Sequence, residues 1–83
     1  MNKPQDLKDY ELKFGSIQNK KLFRCIKEYA SEPDVYGIDF IKNKLYFGEK
    51  EDNEYYYVDS TENGTCVLIS NKELSKHFER LID

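Results

Sequence analysis

The sequence predicts an α+β domain with two N-terminal helices, a four-stranded antiparallel meander and a C-terminal helix packed on one sheet face. Three observations predict it. Apolar residues recur at helical spacing up to residue 31, then alternate with a period of two from residue 36. The apolar runs of the middle are short and separated by turn residues, which makes successive strands antiparallel neighbours. A capping pattern at Ser70 then opens a last amphipathic stretch.

The first helix is read from Pro4, which suits a first turn with Asn2 or Lys3 before it, to Gly15, which closes it. Leu7, Tyr10 and Phe14 form its stripe, with Leu12 off the stripe. Ser16 caps a second helix, 16–31. Leu22, Phe23, Ile26, Tyr29 and Ala30 line one side of it, and Lys20, Lys21, Arg24, Lys27 and Glu28 the other. Glu32-Pro33-Asp34 ends it, because the residue before proline avoids the helical region.

Strands follow at 36–41, 45–48, 55–58 and 65–69. Lys42-Asn43-Lys44 turns the chain between the first two, and the acidic stretch 49–54 forms a loop. Ser60-Thr61-Glu62-Asn63-Gly64 carries the Asn-Gly pair of a hairpin turn. Ser70 and Glu73 set a capping box ahead of a helix whose stripe is Leu74, Phe78 and Leu81, widened by Ile82. All 83 residues, 1–83, read as one domain. The edge strand 36–41 is a place for a second copy to pair, so the expected state is a monomer or a weak homodimer.

Composition narrows the function. The first ten residues lack the apolar core of a secretory signal, and no apolar run approaches the roughly 20 residues of a membrane span, so cytoplasmic residence is expected. Cys25 and Cys66 stand far apart without a CxxC pair, which excludes a zinc knuckle and reads as two buried, reduced thiols, with a single disulfide between them as the alternative. The one histidine, His77, has no local nucleophile beside it. No glycine-rich phosphate loop or EF-hand spacing is present. No catalytic residue, metal or cofactor is therefore expected, and the chain does not read as an enzyme.

Charge is polarised. Residues 1–31 carry seven Lys/Arg against four Asp/Glu, a balance of +3. Residues 49–62 carry six Asp/Glu against Lys50 alone, a balance of −5. The basic side of helix 16–31 (Lys20, Lys21, Arg24, Lys27) is an alternative, nucleic-acid-binding face of a small regulator, although a net charge of −3 argues against nucleic acid. The acidic segment adjoins the tyrosines. Alternation sends Tyr55 and Tyr57 to one sheet face and Tyr56 and Val58 to the other. Glu49, Glu51, Asp52, Glu54, Tyr55 and Tyr57 are the candidate contact residues: aromatic anchors ringed by negative charge, suited to a basic protein.

The carboxyl-terminal half resembles the SUKH superfamily of bacterial toxin-immunity proteins and cell-wall regulators. The resemblance is carried by Glu54-Tyr55-Tyr56-Tyr57-Val58-Asp59, then Cys66-Val67-Leu68-Ile69, then the closing segment Ser75-Lys76-His77-Phe78-Glu79-Arg80-Leu81-Ile82. Leu22-Phe23 and Tyr29 stand where that family has an early helix. The resemblance implies an α+β domain that binds and neutralises a toxin. The expected function is thus a non-catalytic, immunity-like or inhibitor module whose basic partner is a toxin or, for a phage-encoded inhibitor, a host enzyme.

Overall fold

The computed structural model describes residues 5–18 and 20–82, with side chains for 8–18 and 20–81. Pro4 and its flanking caps lie outside the described residues, as do the side chains of Leu7 and Ile82. Three helices, α1 (Gln5–Phe14), α2 (Pro33–Tyr36) and α3 (Asn71–His77), accompany five strands. The strands are β1 (Lys21–Cys25), β2 (Leu45–Lys50), β3 (Tyr55–Ser60), β4 (Thr65–Ser70) and β5 (Phe78–Ile82). They form one sheet in the order β4-β3-β2-β1-β5, antiparallel throughout. The class is α+β as expected, but the element counts differ.

The first correction is residues 16–31, which form no helix. Ser16 Oγ accepts the Gln18 amide in a turn, and Lys21–Cys25 runs as a strand. Phe23 and Cys25 are buried while Arg24 is exposed, so these residues also satisfy a period of two. Pairing with β2 on one side and β5 on the other supplies backbone partners along both edges, and tertiary pairing overrides local spacing. The same competition reverses residues 78–82. Leu74, Phe78 and Leu81 have helical spacing, yet α3 stops at His77 and Phe78 takes extended angles (φ −132°, ψ 150°) opposite Cys25.

Residues 36–41 are not a strand either. Pro33 starts the single turn of α2 instead of ending a helix, because its fixed φ suits a first turn and its missing N–H is not needed there. Only an isolated bridge, Tyr29 to Phe40, links this stretch to another segment in β fashion. The sheet edge expected at 36–41 is therefore absent, and the edges are β4 and β5. The acidic stretch is also shorter than a 49–54 loop, since Glu49 and Lys50 still pair with Tyr57 and Tyr56.

Other elements follow the sequence. Gly15 closes α1 at φ +90°, its N–H reaching Glu11 O at 2.9 Å. Gly64 N–H bonds to Ser60 O at 2.8 Å in the hairpin turn. Ser70 Oγ accepts the Glu73 amide at 3.2 Å, while the Glu73 carboxylate reaches toward His77 and Lys76.

One sheet face holds the core. Phe23, Tyr46, Val58 and Ile69 point to it and are covered by Leu74 of α3 and by Phe40. Phe40 meets Tyr46 and Phe78 edge-on at 4.8 and 5.1 Å between ring centres, an arrangement that ring quadrupoles favour. Gly48 lies on this side because a Cβ there would stand 3.0 Å from both the Phe23 ring and Tyr57 O. Buried Asp39 ties the 26–41 segment down, accepting Ser31 N and Oγ at 2.7 Å each and the Asn63 amide.

Candidate functional site

The opposite face is built differently. Residues directly across an antiparallel pair project to the same side, so the register Leu68–Tyr57–Glu49 forms one row on the outer face. The next row is Cys66–Asp59, and Phe47 and Leu22 share its side of the sheet. Among the described side chains, helix α1 packs on this second region: the Tyr10 ring lies 5.2 Å from Phe47 and 5.0 Å from Phe14. Leu12 points away from the sheet side, as its place off the stripe predicts, and is exposed.

Beneath α1 lies a polar cluster with no local signature in the sequence. Lys20 Nζ donates to Asp59 Oδ2 at 2.7 Å, Phe14 O at 2.9 Å and Tyr10 Oη at 3.0 Å, which uses all three ammonium hydrogens. Tyr10 Oη–H donates to the same carboxylate, and Cys66 Sγ–H donates to Asp59 Oδ1 at 3.1 Å. The Lys20 and Asp59 side chains are only 7% and 3% exposed, so this is a desolvated ion pair with its lone pairs satisfied. Burial, then the hydrogen bond to Asp59, pushes the Tyr10 hydroxyl far above its ordinary value. The same causes push the Cys66 thiol up to about 11. A thiol held protonated is a poor nucleophile, and the bonds of the cluster fasten α1 to the sheet.

Two of the six acids counted in residues 49–62 are not surface charges of the hairpin: Asp59 is buried beneath α1, and Glu62 pairs with Lys44 and accepts Tyr46 Oη–H at 2.6 Å. The four basic residues expected on one helix face are separated. Lys20 is buried, Arg24 pairs with Glu79, Lys21 stands opposite Gly48, and Lys27 lies beyond the strand. Cys25 is buried and Cys66 is at the surface, and both are free thiols, which corrects the expectation of two buried ones. Lys20 sits immediately before β1 and Asp59 lies 39 residues away, so only the fold brings them together. The one available signal was an acid between Val58 and Ser60, both of them also buried.

The candidate contact residues do come together. Glu49, Glu51, Asp52, Glu54, Tyr55 and Tyr57 all lie on the β2–β3 hairpin and all are exposed. Tyr55 and Tyr57 are each 38% exposed and Leu68 beside Tyr57 is 47% exposed. The hairpin tip is ordered by its own bonds. Asp52 Oδ1 accepts the amides of Glu54 and Tyr55 at 2.8 and 3.0 Å, leaving its other oxygen for solvent. Asn71, the first residue of α3, donates its amide to Glu54 O at 2.8 Å and its side chain to Asn53 O at 2.7 Å. Four carboxylates against Lys50 thus border two half-exposed phenol rings on a fixed hairpin.

Among the described residues, no three His, Cys, Asp or Glu side chains converge as metal ligands, and no helix is long and apolar enough to cross a membrane. His77 Nδ1 lies 3.1 Å from both Lys27 O and Glu28 O, its ring edge-on to Tyr29, which assigns it to holding the 26–29 segment. The chain matches no protein-family model, no curated protein and no solved structure.

Proposed function

We propose that this chain is a non-catalytic protein-binding module, immunity-like or inhibitory, that holds a basic protein partner through the outer face of the β2–β3 hairpin. The observation that carries this reading is the row Leu68–Tyr57–Glu49 with Tyr55 beside it. These residues are left uncovered by α1 and bordered by Glu51, Asp52 and Glu54. Tyrosines there supply wide contact area with few rotamers to fix, and the carboxylates steer a cationic surface toward them. The SUKH-like run from Glu54 to Asp59 implies a toxin as that partner, and a host enzyme is the partner in the alternative of a phage-encoded inhibitor. The nucleic-acid alternative loses its support, since Lys20 is spent on Asp59 and Arg24 on Glu79.

The test is retention of source-lysate proteins by the immobilised chain, with identification of what is held. A basic protein is expected on the unmodified chain, lost on raising salt and lost on both Glu51→Lys and Tyr57→Ala. Equal retention by both variants overturns the proposal, as does a bound fraction that nuclease removes.

A further inference from the structure

The two edges of the sheet differ in chemistry. Strand β5 carries Glu79 and Arg80, charges of the kind that discourage a further strand from pairing. Strand β4, Thr65–Ser70, carries no charge, and its outer-face side chains Cys66 and Leu68 are both exposed. Alongside it runs a groove of about 270 Å³ between the strand and α2, walled by Glu32 and Tyr36. Tyr36 is 56% exposed, so the groove has an apolar wall as well as an open backbone edge.

From these features we infer that β4 pairs antiparallel with β4 of a second copy, about a two-fold axis perpendicular to the sheet near Val67. An uncharged strand is complementary to itself, because no like charges meet across the seam. With Val67 on the axis, Cys66 faces Leu68 of the second copy on the outer face and Thr65 faces its Ile69 on the core face. Antiparallel pairing also sets the groove end of one strand against the C-terminal end of the other. Lys72, exposed two residues past the end of β4, then comes alongside Glu32 of the second copy, and symmetry makes the contact twice. Six residues are a short seam, so the dimer is weak and concentration-dependent. This inference does not depend on the proposed function, since no partner enters it.

Sedimentation equilibrium of the full chain over a concentration series, under reducing conditions, tests it. A monomer–dimer equilibrium is expected. Leu68→Lys weakens it by roughly tenfold or more, while Leu81→Lys on β5 leaves it unchanged. Glu32→Lys and Lys72→Glu each weaken association, and the double variant restores it. Circular dichroism checks that every variant is folded, and Glu32→Lys, at an exposed position, stands in where Leu68→Lys is not. A chain monomeric at all concentrations overturns the inference. So do open-ended polymers, a dimer indifferent to both Leu68→Lys and Glu32→Lys, or a double variant no better than the singles.

Discussion

The two faces of this sheet are held by different chemistry. The core face is closed by aromatic packing, with Phe23, Phe40, Tyr46 and Phe78 meeting edge-on across three segments distant in sequence. The outer face is closed over part of its area by one helix, fastened through a buried ion pair and one tyrosine hydroxyl. The rest of that face is left to solvent. A cavity of about 420 Å³ even remains between Asp9, Tyr10, Lys13 and Phe14 of α1 and Lys44, Leu45 and Thr61. The core face is thus closed along its length, while the outer face is closed only where α1 is fastened and elsewhere exposes Tyr55, Tyr57 and Leu68.

The largest effect is expected where the core face is broken. Phe40→Ala removes a ring that touches Tyr29, Tyr46 and Phe78, and should cost toward the upper end of about 3–5 kcal/mol in denaturant unfolding. It should also release the whole 26–41 segment. A loss below about 1 kcal/mol would show that the segment is held mainly by Asp39 and its donors.

Lys20→Met comes next, because it leaves Asp59 buried without its cation. Tyr10 and Cys66 still donate to that carboxylate, so the cost should sit near the lower end of about 3–5 kcal/mol. Hydrogen exchange distinguishes this from a core defect: amides of α1 should lose protection while those of β1 and β3 keep it. Equal loss across the sheet would mean that α1 is integral to the core.

The smallest effect concerns reactivity alone. Cys66 lies at the surface, but its thiol is held up to about 11 by burial of the group and by Asp59. At neutral pH its thiolate fraction, and with it its alkylation, should fall roughly three hundredfold below that of an ordinary exposed cysteine, which titrates near 8.5. Asp59→Asn should speed it. The rate should climb with pH toward about 11, since only the thiolate attacks and its fraction grows until the thiol titrates. Alkylation at an ordinary rate would show that α1 does not seat on the sheet as described.

Legibility in the sequence divides along the same line. The meander β2–β3–β4, its two turns, α1 and the Ser70 cap were all readable, because each is set by neighbours within a few residues: alternation, Asn-Gly, a terminal glycine, a capping hydroxyl. Residues 21–25 and 78–82 were not. Leu22, Phe23 and Ile26 fit a helix as well as Phe23 and Cys25 fit a strand, and only mutual pairing of β1 with β5 decides between them. In the acidic, tyrosine-bearing hairpin the sheet period sets which tyrosines share a face, but which of the two faces meets solvent depends on what packs against the sheet and was not readable. The Lys20–Asp59 fastening was not readable either, since a lysine in a basic run and an aspartate in an acidic run each look solvated until the fold joins them.

The most direct measurement is hydrogen exchange of the chain with and without a basic protein recovered in the retention experiment proposed above. Protection gained at residues 49–57 and at 68, with little change in α3 and β5, is the result expected of a contact surface on the uncovered face. Protection gained at 71–82 while 49–57 exchanges as before would contradict it.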